Sequence, residues 1–61
     1  MAISLKAARV NTGLTQKEAA KRLGVTVQSL SHYETGKRVP NIFQARDMAT
    51  LYGVPIDEII F

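Results

Sequence analysis

Along the chain, apolar side chains recur three and four positions apart in short runs, and glycine or proline interrupts each run, a pattern of helices rather than strands. The first helix is predicted from about Ser4 to Asn11, with Leu5, Ala8 and Arg9 on one face and Gly13 at its stop. Thr15-Gln16-Lys17-Glu18 has the S/T-x-x-E form of a capping box, in which hydroxyl and carboxylate each satisfy a backbone amide, so a second helix starts there and ends at Gly24. Thr26 can cap a third to about Thr35, with Leu30 and Tyr33 on a shared face and Gly36 closing it. Pro40 and Asn41 precede a fourth, which carries Ile42, Ala45, Met48, Ala49 and Tyr52 at helical spacing and stops at Gly53. Pro55 opens a fifth, Ile56 to Phe61, with Asp57 and Glu58 at the positive end of its dipole. No segment alternates with a strand's period over a useful length, so the expected class is all-α, five short helices in one compact unit.

Gln16 to Glu34 reads QKEAAKRLGVTVQSLSHYE. Ala20 lies inward in the second helix, Gly24 sits at the break, and Leu23, Val25, Leu30 and Tyr33 supply apolar side chains on either side of it. Two helices crossing steeply over a short turn need a small residue where the backbones meet, a glycine free to take positive φ, and apolar residues that lock the pair to the rest. The spacing is that of a helix-turn-helix. Leu5, Ala20, Leu23, Leu30, Tyr33, Met48 and Leu51 are the expected core.

Composition narrows the picture. At 61 residues there is room for one domain, residues 1–61, with one core. There is no cysteine and one histidine, so neither disulfides nor a metal cluster can staple it, and packed helices must suffice. No stretch approaches the ~20 apolar residues of a membrane span, and the N-terminus lacks the apolar region of a signal peptide, so a soluble cytoplasmic protein without a membrane partner is expected. The net charge is +3, unevenly spread. Residues 1–38 hold seven of the eight basic and two of the five acidic side chains, a net +5, while residues 39–61 carry a net −2. A basic face suits an acidic partner, and a solvated surface would read the same on charge alone. An enzyme is not expected: Glu18, Glu34, Asp47, Asp57 and Glu58 have ordinary helix roles, and no nucleophile-base pair, metal set, small-molecule substrate site or glycine-rich phosphate loop stands out, so no cofactor is called for.

Leu14 to Pro40, LTQKEAAKRLGVTVQSLSHYETGKRVP, resembles the helix-turn-helix domains of phage lambda-type repressors and Cro and the bacterial regulators related to them, and the flanking LKAARVNTG and MATLYGVPIDEII extend the likeness over nearly the whole chain. Ala19 departs from the larger aliphatic residue common there. The resemblance implies a lambda repressor-like DNA-binding domain, a transcriptional regulator acting as a repressor, whose third helix, about 26–35, enters the major groove of a two-fold operator. With Leu30 and Tyr33 inward, the helix periodicity turns Val27, Gln28, Ser31, His32 and Thr35 outward. Gln28 can bond adenine N6 and N7, Val27 can pack on a thymine methyl, and Ser31 and His32 can reach a base edge. Phosphate contacts are implied for Gln16, for Thr26 and Ser29 at the start of the third helix, and for Lys37, Arg38, Asn41 and the Phe43 amide in the following loop. Lys17, Lys21 and Arg22 are expected to be mostly solvated. The resemblance further implies an Arg9–Glu34 ion pair across the fold. Outside the core little apolar surface is left, enough for a small contact through Phe43, Ile59 and Phe61, so a weak homodimer strengthened on double-stranded DNA is expected. The protein would then lie on the nucleoid. A protein-interaction module of the same fold, antitoxin-like or antirepressor-like, is the rival expectation.

Overall fold

The computed structural model describes residues 2–61. Their order is β1 (Ile3–Ser4), α1 (Leu5–Asn11), α2 (Gln16–Leu23), α3 (Val27–Thr35), α4 (Ile42–Tyr52), a single 3-10 turn (Ile56–Glu58) and β2 (Ile59–Ile60). Each α-helix starts where a short polar side chain precedes it. Ser4, Thr15, Thr26 and Asn41 have extended backbones, and their side-chain oxygens accept the amides of Ala7, Glu18, Ser29 and Gln44. At Thr15 the box is closed in both directions: the Glu18 amide donates to Thr15 Oγ1 at 3.1 Å and the Thr15 amide to Glu18 Oε1 at 3.0 Å. The Thr15 amide and hydroxyl, with a smaller contribution from Arg22, hold the Glu18 carboxyl below its usual pKa.

The α2–α3 connection depends on Gly24, which ends α2 at φ 71°, where a Cβ would be strained. Val25 then donates its amide to the Ala20 carbonyl at 3.0 Å, and Thr26 caps α3 at once, so only three residues separate the helices. Ala8, Ala19, Leu30 and Met48 have no exposed surface, and Leu5, Ala20, Tyr33, Ala49, Tyr52 and Ile59 complete the buried cluster. The alanines allow α1, α2 and α3 to approach closely around Leu30. Leu23 and Leu51, expected in the core, lie at its margin and are partly buried.

The expected fifth helix is not there. Ile56–Glu58 makes one 3-10 turn, closed by the Glu58 amide on the Pro55 carbonyl at 3.0 Å, and the chain then extends as β2, parallel to β1, with Ile3 opposite Ile59 and Ser4 opposite Ile60. Among the described residues the fold is therefore mostly helical, with four α-helices where five were expected and two short strands beside them. The reason is tertiary. Pairing with β1 satisfies backbone groups that a six-residue helix would leave at its frayed end, and it suits β-branched isoleucines. It also turns Ile59 into the core and Ile60 to solvent.

Candidate nucleic-acid interface

α3 divides cleanly by burial. Leu30 and Tyr33 are buried, Val27, Gln28 and Thr35 are exposed, and Ser31 and His32 are half-buried on the same outward strip. Glu34, the one carboxylate of α3, is withdrawn, its side chain only 2% exposed. No negative side chain of α3 therefore reaches solvent, and the outer strip offers an amide, hydroxyls, an imidazole and a Val27 isopropyl group. Thr35 folds its hydroxyl back onto the Ser31 carbonyl at 3.0 Å. Val27 and Gln28, at the N-terminal turn, are the other exposed residues of the strip.

Glu34 is held by a small buried network. Arg9 Nε donates to Oε2 at 2.6 Å and Arg9 Nη2 to Oε1 at 3.3 Å, while Arg9 Nη1 reaches the Leu14 carbonyl at 2.9 Å. Gln16 Nε2 adds a fourth bond, to Glu34 Oε1 at 2.9 Å. Periodicity marks Arg9 and Glu34 as inward, but carries no signal for the Gln16 link across α2 and α3. The buried Tyr52 hydroxyl has no hydrogen-bond partner among the described residues; burial pushes its pKa up to about 12, the Glu34 charge adding to the shift and Arg9 opposing it.

The phosphate candidates fall into two groups. Gln16, Thr26 and Ser29 stand at the starts of α2 and α3. Thr26 Oγ1 accepts the Ser29 amide at 3.0 Å and shares a hydroxyl proton with Ser29 Oγ at 2.9 Å, so the pair retains one hydroxyl proton for an outside acceptor. Lys37, Arg38, Asn41 and Phe43 stand in and beyond the α3–α4 loop, all exposed. That loop is tied down. The Arg38 amide donates to the His32 carbonyl at 3.2 Å, its guanidinium lies 5.5 Å over the Tyr33 ring, and the Tyr33 hydroxyl donates to Gln44 Oε1 at 2.9 Å. Asn41 Oδ1 caps the Gln44 amide, which leaves the Asn41 Nδ2 protons free, and the Phe43 amide lies in the first turn of α4, where helix amides lack acceptors. The Arg38–Tyr33–Gln44 relay has no counterpart in sequence spacing.

Of the three residues expected at a dimer contact, Phe43 and Phe61 are exposed, 72% and 37%, and Ile59 is not, at 7%. Its place opposite Ile3 puts it in the protomer's own core, and Ile60 is the outward residue there. Val39, Ile42 and Phe43 make an exposed apolar cluster on the loop and first turn of α4. No helix among the described residues is long and apolar enough to cross a membrane.

Residues 5–59 match the family described as helix-turn-helix. The chain is 39% identical over 56 residues to the HTH-type transcriptional regulator ImmR of Bacillus subtilis, a match covering 92% of this chain and 44% of that protein. It is 40% identical over 55 residues to an uncharacterized HTH-type transcriptional regulator of Methanocaldococcus jannaschii, covering 90% and 83%. It is 36% identical over 52 residues to the cryptic phage CTXphi transcriptional repressor RstR of Vibrio cholerae, covering 85% and 47%. The chain thus spans under half the length of the Bacillus and Vibrio relatives. No solved structure gives a significant match.

Proposed function

Because the chain belongs to the helix-turn-helix family, whose regulators bind DNA, we propose that residues 1–61 are a sequence-specific double-stranded DNA-binding domain of a transcriptional repressor that places α3 in the major groove of a two-fold operator. The observation that carries the reading is the outer strip of α3, whose only carboxylate is buried and neutralised by Arg9. A major groove is lined with donors, acceptors and thymine methyls between two rows of phosphates, and an exposed carboxylate there would be repelled.

In this reading Gln28 presents its amide to adenine N6 and N7, Val27 meets a thymine methyl, and Ser31 and His32 contact base edges farther along the helix. Thr26, Ser29 and Gln16 hold one backbone, and Lys37, Arg38, the Asn41 amide group and the Phe43 N–H hold the other. The tethered loop supports this: Arg38 is stacked before DNA arrives, so less side-chain freedom is lost on binding. Two copies bind side by side, weakly joined through Phe43 and Phe61, and DNA raises their effective concentration.

The exposed Val39–Ile42–Phe43 cluster favours a second reading, a surface for another protein on the same fold. Fluorescence anisotropy of labelled duplex DNA across a salt series separates the two. Lys37 and Arg38 from each of two copies neutralise four phosphates, so the logarithmic slope is expected near about −3.6. A flat salt response, with micromolar or weaker binding at every salt, selects the protein-partner reading.

A further inference from the structure

We propose that Glu34, acting through Gln16, is a positioning residue for phosphate binding at the start of α2, so that the buried ion pair serves DNA binding as well as the fold; the inference rests on the DNA-binding reading above. The Glu34 side chain is 2% exposed and receives Arg9 Nε at 2.6 Å, Arg9 Nη2 at 3.3 Å and Gln16 Nε2 at 2.9 Å. Gln16 is half-buried at the first position of α2. A glutamine carboxamide there would otherwise sample several rotamers and lose that freedom on gripping a phosphate. Glu34 takes one of its two Nε2 protons and fixes the group in the free protein. The second Nε2 proton and the Gln16 backbone N–H, which has no intrahelical acceptor, remain for an anion.

The charge balance fits the same purpose. A bare carboxylate one hydrogen bond away from a phosphate-binding amide would repel the phosphate. Arg9 neutralises Glu34, and its Nη1 also bonds the Leu14 carbonyl at 2.9 Å, holding the segment that leads into the Thr15 capping box. One guanidinium thus sets both the charge beneath Gln16 and the path of the chain into α2. A purely structural pair, replaced by well-packed apolar residues, would leave DNA affinity intact; a positioning pair would not.

The test compares wild type, Gln16→Ala, the double variant Arg9→Met/Glu34→Leu, and all three changes combined. Each binds a half-site duplex taken from a selected sequence and an unrelated duplex of equal length, well below every melting midpoint. The double variant is expected to be folded yet to bind both duplexes about 10- to 100-fold more weakly, as expected for one lost hydrogen bond to a charged group. Gln16→Ala is expected to lose as much, and the triple variant no more than the double. The salt slope stays unchanged, because no charged contact is removed. An undiminished affinity of the double variant, or a full further loss on adding Gln16→Ala to it, overturns the proposal. If the double variant does not fold, nitrogen-15 relaxation of wild-type side-chain amides decides: Gln16 Nε2 is expected to be ordered while that of Gln28 is mobile, and equal mobility overturns the proposal. Tight wild-type binding with Gln16→Ala indifferent sinks this inference alone, whereas wild-type binding that is salt-flat sinks the DNA reading beneath it.

Discussion

Arg9→Ala removes three hydrogen-bond donors from a position where water cannot replace them. Arg9 is 8% exposed and the Glu34 side chain 2%, so the variant strands a carboxylate in the protein interior with Gln16 as its one remaining partner. Breaking a buried pair from one side costs about 3 to 5 kcal/mol. A domain of this size has roughly 3 to 9 kcal/mol in total, so the variant is expected to sit near the limit of folding. At 4 to 8 °C per kcal/mol for small domains, the melting midpoint should fall by about 12 °C or more. Glu34→Leu alone strands the guanidinium instead and is expected to lose a similar amount. The double variant Arg9→Met/Glu34→Leu strands neither, and Gln16, half-buried, can turn its amide to water; most of the loss of either single variant, about 2 to 4 kcal/mol, should return. Thermal and urea melts followed by circular dichroism measure all four proteins. Losses that simply add in the double variant would refute the reasoning, because they would mean that the two charges do not compensate one another.

Gln28→Ala is expected to weaken binding to the best operator by about 1 to 3 kcal/mol and leave binding to unrelated DNA nearly unchanged, since its role is base readout; competition titrations check this, and equal loss on both DNAs would remove Gln28 from that role. Arg38→Ala should weaken all sequences alike and reduce the salt slope by about one unit per copy, a result contradicted by a loss confined to the best operator. For Tyr52 the folded pKa, about 12, lies above the free phenol value near 10, so its contribution to stability is intact below about pH 10 and is lost as pH climbs through 12. Tyr52→Phe should flatten that alkaline decline in melts at stepped pH and cost under about 1 kcal/mol at neutral pH, because the hydroxyl has no partner; an undiminished decline would refute it. Phe43→Ala is expected to abolish cooperativity on a full operator before it lowers half-site affinity, as read by comparing full-site and half-site isotherms, and unaltered cooperativity would place the dimer contact elsewhere.

The four α-helices were legible because their signals are local. Thr15 and Glu18 spell the box that opens α2, and Gly24 is the residue that the left-handed turn into α3 requires. The outward strip of α3 was legible for the same reason: fixing Leu30 and Tyr33 inward fixes Val27, Gln28, Ser31 and His32 by helix geometry. The C-terminal end was not. Pro55, Asp57 and Glu58 are sound helix-start residues, and a 3-10 turn does form on them, but Ile59 and Ile60 answer to Ile3 and Ser4 at the other end of the chain. A two-residue strand is too short to show alternation, and its partner lies beyond any local window. The misplacement of Ile59 at a dimer contact followed from the same blindness. The Gln16–Glu34 bond and the Arg38–Tyr33–Gln44 relay are likewise tertiary, set by how α2, α3 and α4 pack.

The central claim, that α3 reads the sequence of a two-fold DNA site, is tested most directly by selecting bound sequences from a random double-stranded DNA pool at near-physiological salt. A two-fold symmetric consensus is expected to be enriched, with half-sites about 34 Å apart along the helix axis, one helical turn. Recovery of a pool still random after repeated rounds, with retention no greater than that of a basic protein lacking sequence preference, would contradict it.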